Sequence, residues 1–220
     1  MSSEKCRIFI VRHGETLFNK LDRIQGWADS PLTEFGESKI QTIADTLSRY
    51  NFCYAYTSDS RRAVKTCDII LAKQTHPVQQ TQTKILREWY YGSNEGMTKK
   101  AFIAKIAAKV PQYDKSSRLQ ENFSFKDFSK VVQQIDDMNS PDNFSTIRRK
   151  LNNYFRKIAE KHSENGENNI LVVSHGLSIL TFLSRINDQI TFQTPLKNGA
   201  VIVLEYSNNE FSLVNDDLFF

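Results

Sequence analysis

The chain has 220 residues, with 29 Lys and Arg against 25 Asp and Glu for a formal charge of +4, and it is 40% hydrophobic and 11% aromatic. That length suits one compact domain with a core of its own, and the aromatic content and near-balanced charge exclude a disordered chain. With 8 Gly and 5 Pro it is neither collagen-like nor low-complexity, and no apolar run approaches the roughly 18 residues that a bilayer span needs.

The elements read as strands alternating with helices. Residues 7–11 are a short apolar run that ends in Arg12-His13-Gly14, a buried strand followed by a turn. A helix is expected over 33–50, capped by Thr33, with Ile40, Ile43, Ala44 and Leu47 on one face. A second strand spans 53–57, and Ser58 to Ser60 open a helix whose Ala63, Cys67, Ile70 and Leu71 share a face. A third strand is expected near 82–87. The middle region, 97–140, holds an amphipathic piece from Ala101 to Val110, an aromatic stretch with Phe123, Phe125 and Phe128, and a helical piece to about 138. A helix from about 142 to 163 follows. Then the opening pattern returns: an apolar strand over 170–173, Ser174-His175-Gly176, and a helix. Two strands, 200–206 and 210–214, joined by a Ser-Asn-Asn turn, end the chain.

This alternation predicts an α/β fold: a mostly parallel central sheet with helices on both faces. The chain reads as a single domain over 1–220, with 97–140 as a helical cap insertion over the C-terminal strand edge. Ligands of such sheets bind outside the carboxyl ends of the strands. His13, His175 and the Ser58 to Arg62 turn all fall at that edge.

The charge surplus does not mark a polyanion binder. Lys99-Lys100 and Arg148-Arg149-Lys150 are short and read as solvated helix faces, so neither nucleic acid nor membrane is expected as a partner. A small anion suits the charge equally well. Cys6, Cys53 and Cys67 form no CxxC pair and no metal-ligand spacing, and Met1 to Lys5 runs straight into a strand without a signal-peptide pattern. A cytoplasmic protein with reduced thiols is the expectation. Oligomeric state is not readable from the sequence.

An isolated Arg-His-Gly is weak, because a lone histidine is more often a structural hydrogen-bonding group. Here it stands in an ordered set: Arg12-His13-Gly14-Glu15-Thr16, Asn19, Gln25-Gly26-Trp27, Asp29, Leu32-Thr33 with Gly36, Ser58, Arg62-Ala63 with Thr66, Leu86, Glu88, Gly92, Glu95-Gly96 and Ser174-His175-Gly176. This set resembles the histidine phosphatase superfamily, the phosphoglycerate-mutase-like enzymes, over about 7–96 and 168–206. The resemblance implies a nucleophile at His13 that becomes a phosphohistidine, a second histidine at His175, and phosphate-clamping arginines at Arg12 and Arg62. It further implies a polar contact from Asn19, substrate contacts from Gln25 and Gly26, and a proton donor at Glu88, with Glu95 as understudy or orienting neighbour.

The physics agrees with that set. Two guanidinium groups disfavour a third positive charge, so they hold the His13 imidazole neutral and nucleophilic. They also stabilise charge on the phosphoryl oxygens. Glu88 would be raised as an acid by an apolar setting, for which Trp89, Tyr90 and Tyr91 offer an aromatic wall. Arginine and histidine supply the positive field, so no cofactor and no metal is expected. His76 and His162 lie in polar stretches and read as structural.

Two positions depart from the family pattern: Asp59 stands where a proline is common, and Lys39 where a glutamine is. The expected activity is a metal-independent phosphomonoester hydrolase acting on a small phosphorylated metabolite. A phosphoglycerate mutase-type phosphoryl transferase and a catalytically inactive phospholigand-binding module are the alternatives. Lys99, Lys100 and Lys105 could meet a second anionic group, while Phe102, Phe123, Phe125 and Phe128 read as the core of the cap.

Overall fold

A computed structural model describes residues 5–109, 123–138, 140–163 and 169–214. In chain order the elements are β1 (Lys5–Arg12), α1 (Leu17–Lys20), α2 (Glu34–Leu47), β2 (Phe52–Ser58), α3 (Arg61–Leu71), β3 (Gln79–Thr83), α4 (Lys99–Lys109), α5 (Phe125–Ile135), α6 (Phe144–Ser163), β4 (Asn169–Ser174), α7 (Gly176–Leu183), β5 (Val201–Ser207) and β6 (Glu210–Leu213).

The strands form a six-stranded sheet in the order β3-β2-β4-β1-β5-β6. The first four are parallel, and β5 runs antiparallel to both β1 and β6. The core strands are apolar on both faces because both faces are covered. Ile8, Ile10, Ile170, Val172, Ile202 and Leu204 point into one cluster, which α5, α6 and α7 cover with Ile135, Phe155 and Ile179. Phe9, Val11, Leu171, Val173, Val201 and Val203 point into the other, where α2 and α3 supply Ile40, Leu47, Cys67 and Ile70. The period of two along each strand thus sorts side chains between two helical layers.

The helix starts follow local chemistry. Thr33 caps α2 by accepting from the Gly36 amide, as its sequence position implies. Ser124 and Asp127 form a reciprocal capping box at the start of α5. The closing hairpin turns through Asn208 and Asn209, both left-handed at φ 52° and 64°. Asparagine tolerates that region, and a two-residue turn of this hand matches strand twist.

One expected strand is misplaced. β3 is Gln79–Thr83, not 82–87, and Lys84–Leu86 form a 3-10 turn that the Thr83 hydroxyl caps. The apolar Ile85-Leu86 pair suggested a strand, but Leu86 is buried as a single plug under the sheet edge while Ile85 is exposed. The true strand is polar because it is the sheet's edge, with only one neighbour to bury it.

Within the expected cap, α4 and α5 are described, whereas Val110 and Pro111 lie outside the described residues. Both helices pack on the segment that follows Glu88. Phe102 meets the Tyr91 ring edge-on at 5.7 Å, and Phe125 and Phe128 lie about Trp89 at 6.2 and 5.9 Å. The phenylalanines therefore serve as core, and Lys105 is taken up by Asn94 and Asp137. Buried Asp136 ties α5 to the same segment by accepting from the backbone amides and hydroxyls of Ser93 and Ser140. Burial alone would raise its carboxyl, but those four bonds outweigh it and hold it well below the usual carboxylate range.

Candidate active site

At the carboxyl edge, β1 ends beside β4, with Arg12 opposite Ser174 in the register. His13 and His175 are therefore brought side by side, their rings 5.1 Å apart. Both are nearly sealed from solvent, at 4% and 0% exposure. A cavity of about 270 Å³ opens over His13 and is lined also by Arg12, Asn19, Gln25 and Glu88. A larger groove of about 520 Å³ lies between Asp29, Leu32, Arg61 and Lys65. It holds neither histidine, so the smaller cavity is where chemistry can occur.

Two hydrogen bonds define the ring states. His13 Nδ1 lies 2.8 Å from the Gly14 carbonyl, which can only accept. The proton is therefore on Nδ1, and Nε2 presents a lone pair. Arg62 Nε donates to that lone pair at 3.3 Å. In His175 the pattern is reversed: Arg62 Nη2 donates to Nδ1 at 3.0 Å, so Nε2 carries the proton, 3.3 Å from Ser60 Oγ. Burial, then Arg62 and Arg12, push His13 well below its ordinary pKa; burial, Arg62, His13 and Arg12 do the same to His175. Both imidazoles are neutral at pH 7.

The two arginines are held differently. Every N–H of Arg62 is used: by His13, by His175, by the carbonyls of Gly26 and Ala28, and by Asp29 at 2.9 Å. Arg12 donates Nη1 to the Leu196 carbonyl, and its buried Nε has no protein partner. Gly176 lies flat against that guanidinium, where an added Cβ would sit 3.4 Å from Arg12 Cζ. Arg12 thus lines the cavity with one N–H that no protein group takes up. Arg62 must exchange its bond to His13 Nε2 for one to the incoming group.

Asn19 and Gln25 line the cavity. Gly26 contributes its carbonyl to Arg62, and a Cβ there would fall 2.1 Å from the Trp89 carbonyl, so no larger residue fits. The Gly26 to Ala28 backbone is organised by Glu95, whose carboxylate accepts from the amides of Gly26, Trp27, Ala28 and Tyr91. Glu95 does not line the cavity lobe over His13; of its two expected roles, the geometry gives it the orienting one.

Glu88 does line the cavity, but its carboxylate is not in an apolar setting. It accepts from the amides of Trp89, Leu177 and Ser178, at 2.9, 3.0 and 3.0 Å, and so caps the N-terminus of α7. Of the aromatic wall, Tyr91 lines the same cavity while packing edge-on against Phe102, whereas Trp89 turns its Nε1 to Thr181. Asp59 leaves the site field nearly unchanged, because Arg87 grips it in two parallel bonds of 2.6 and 2.7 Å. His162 bonds to Tyr56 and Cys53 at the opposite end of β2, and His76 to the Phe52 carbonyl.

Three residues join the site that were given no role from sequence: Asp29 beneath Arg62, Ser60 beneath His175, and Asn198, which donates to the His13 carbonyl at 3.1 Å. Asp29 had a signal in its place after Gln25-Gly26-Trp27; Asn198, in an ordinary Lys-Asn-Gly turn, had none. Among the described residues no group of three or more His, Cys, Asp or Glu could hold a metal ion, and no helix is long and apolar enough to cross a membrane.

Known proteins are similar to this chain in sequence and fold. A 2,3-bisphosphoglycerate-dependent phosphoglycerate mutase of Bacteroides fragilis is 31% identical over 228 residues, covering 96% of this chain and 90% of the relative. The crystal structure of a phosphoglycerate mutase from Bacillus anthracis superposes with a TM-score of 0.89 at 27% identity, covering 96% of this chain and 92% of that one. A phosphoserine phosphatase from Entamoeba histolytica shares the fold, with a TM-score of 0.70 at 20% identity and 96% and 95% coverage. The sequence model of the histidine phosphatase superfamily (branch 1) matches residues 8–217, which span both histidine turns and all of the sheet but the first three residues of β1, and the chain belongs to that family.

Proposed function

We propose that this protein is a metal-independent phosphomonoesterase that works through a phosphohistidine on His13. The observation that carries the reading is the lone pair of His13 Nε2, fixed by the Nδ1 contact to Gly14 and flanked by Arg12 and Arg62. The Nε2 lone pair attacks phosphorus and forms a P–N bond as the ester P–O bond breaks. Glu88 gives a proton to the departing oxygen. A water then attacks phosphorus, Glu88 takes its proton, the P–N bond breaks, and inorganic phosphate leaves with His13 neutral again. The Arg12 guanidinium and the Arg62 Nε–H released from His13 meet the phosphoryl oxygens and offset their charge during both transfers. Splitting one displacement into two lowers each barrier.

The mutase reading has its own support. Arg23 and Lys99 line the same cavity as His13, and there they could meet a second anionic group of the substrate. The Bacteroides fragilis relative, too, carries the name of a mutase. A mutase hands the phosphoryl group from His13 back to a bound organic acceptor instead of to water; the residues above serve both outcomes.

Release of phosphate from a panel of phosphorylated metabolites, in the presence of EDTA, tests the proposal. Hydrolysis unaffected by EDTA and blocked by vanadate supports it, and strict dependence on an added divalent metal overturns it. Monophosphoglycerate with a bisphosphoglycerate primer tests the second reading: isomerisation faster than hydrolysis assigns the mutase reaction. Failure of both, with vanadate still bound, assigns a phospholigand-binding module.

A further inference from the structure

The Asn19 amide has two ends, and only one suits an anion. Its Nδ2 would donate to a phosphoryl oxygen, whereas its Oδ1 would repel it. Oδ1 is turned away from the cavity because it accepts from the Thr16 amide at 3.1 Å and from Asn198 Nδ2 at 3.2 Å. The Thr16 hydroxyl also lies 3.0 Å from Oδ1, but its single proton has a nearer acceptor, Gln25 Oε1 at 2.6 Å. That hydroxyl would serve a flipped Asn19 amide equally well, as an acceptor, so it does not set the orientation.

The Thr16 backbone amide can only donate, and it holds Oδ1 from the start of α1; Asn198, from a distant segment, holds it equally without ambiguity. Its Nδ2 faces three acceptors: the carbonyl of His13 at 3.1 Å, the carbonyl of Gly14 at 3.4 Å, and Asn19 Oδ1. Two of the three are backbone carbonyls and can only accept, so the amide nitrogen must lie there. The turn that carries it is pinned to the end of β1. Gly199, left-handed at φ 80°, donates its amide to the Arg12 carbonyl at 3.1 Å. Lys39 Nζ holds the Asn198 carbonyl from α2 at 3.0 Å, which gives this departure from the family's glutamine a place in the site.

We propose that Asn198 is a positioning residue: anchored on the carbonyl of His13, it joins the Thr16 amide in fixing the side-chain orientation of Asn19, so that Asn19 Nδ2 faces the phosphoryl group. The inference rests on the phosphoryl-binding reading of the cavity. It does not depend on whether the phosphoryl group passes to water or to an organic acceptor.

Vanadate binding tests it without requiring turnover. Affinity is measured by titration calorimetry for the wild type, Asn198→Ala, Asn19→Ala and the double variant. Asn198→Ala is expected to weaken binding about tenfold, the scale of one hydrogen bond to an anion. In the Asn19→Ala background the same substitution should change nothing, because its effect has lost its intermediary. Unchanged affinity in Asn198→Ala, or a further factor of similar size in the double variant, overturns the proposal.

A second measurement uses the wild type alone. The side-chain amide protons of Asn19 should shift in NMR spectra on vanadate titration, along with the backbone signals of Arg12 to Gly14. Shifts in the backbone without any in the Asn19 amide overturn the inference and leave the phosphoryl site intact. No shift in either removes the phosphoryl site itself, and the inference with it. Asn19 shifts in a protein that releases no phosphate and isomerises no phosphoglycerate uphold the inference while the enzymatic reading fails.

Discussion

The turns after β1 and β4 begin from the same material and reach different chemistry. Each follows an apolar strand, each reads His-Gly, and each buries a neutral imidazole beside the same Arg62. After β1 the chain stays irregular, so His13 Nδ1 meets the Gly14 carbonyl and Nε2 is left as a lone pair. After β4 the chain enters α7 at once; His175 occupies the cap position without capping, and its Nδ1 is spent on Arg62. Two histidines nearly equal in burial thus differ in tautomer: Nε2 carries a lone pair in His13 and a proton in His175. The partner of Nδ1, not burial or pKa, decides which ring presents a lone pair at Nε2 and which a proton.

The sharpest way to break that comparison is to remove each ring. His13→Ala should lower turnover by about 10⁴-fold or more and abolish acid-labile phosphoryl labelling, as loss of a nucleophile does. His175→Ala should cost about 10²- to 10³-fold, the scale of one stabilising donor, and keep the label. Labelling that survives His13→Ala would exchange their roles.

Next in size is Glu88→Gln, expected to slow alkyl phosphates by about 10²- to 10⁴-fold through loss of the proton donor. Hydrolysis of p-nitrophenyl phosphate, whose leaving group needs little protonation, should suffer much less. Equal losses on both would mean that Glu88 serves only as the cap of α7.

Asp29→Asn weakens the bond that aims Arg62, the one group shared by both histidines. A loss of about 10-fold to 10²-fold in kcat/KM, mostly in kcat, is expected from a misplaced guanidinium. A change confined to thermal stability would show that Asp29 supports the fold and not the site.

The smallest effect is on stability against pH. The unfolded histidines take up protons near pH 6.5, whereas in the fold burial and the arginines hold both neutral to lower pH. Below pH 6.5 the unfolded state therefore binds more protons, and stability falls as pH falls, by up to about 1.4 kcal/mol per pH unit for each ring. Above pH 6.5 this contribution is flat. Thermal melts of His13→Gln and His175→Gln should each show a shallower acid slope than the wild type, and an unchanged slope would mean that the rings are protonated in the fold.

Much of this was legible in sequence because it is local. Apolar runs of strand length, Thr33 before an amphipathic helix, and His-Gly at two strand ends depend on neighbours in the chain, and the structure keeps all three. β3 was missed for the converse reason. An edge strand needs little apolar surface, so Gln79–Thr83 carried no periodic signal, and nearby Leu86 supplied a false one. Glu88 was found, but its surroundings were not: the amides around its carboxylate belong to α7, some 90 residues later in the chain.

By itself the sequence determined the strand-helix alternation, the two histidine turns with their arginines, and the family, since each is written in residue type, spacing and order. Tertiary structure alone decided which imidazole nitrogen carries the proton, which arginine has an N–H that no protein group takes up, and what the Asn19 Oδ1 accepts from. Those answers rest on single hydrogen bonds a few ångströms long. Their partners lie far apart in the chain, as Asn198 and His13 do, and no local pattern of hydrophobicity or charge records such a pairing.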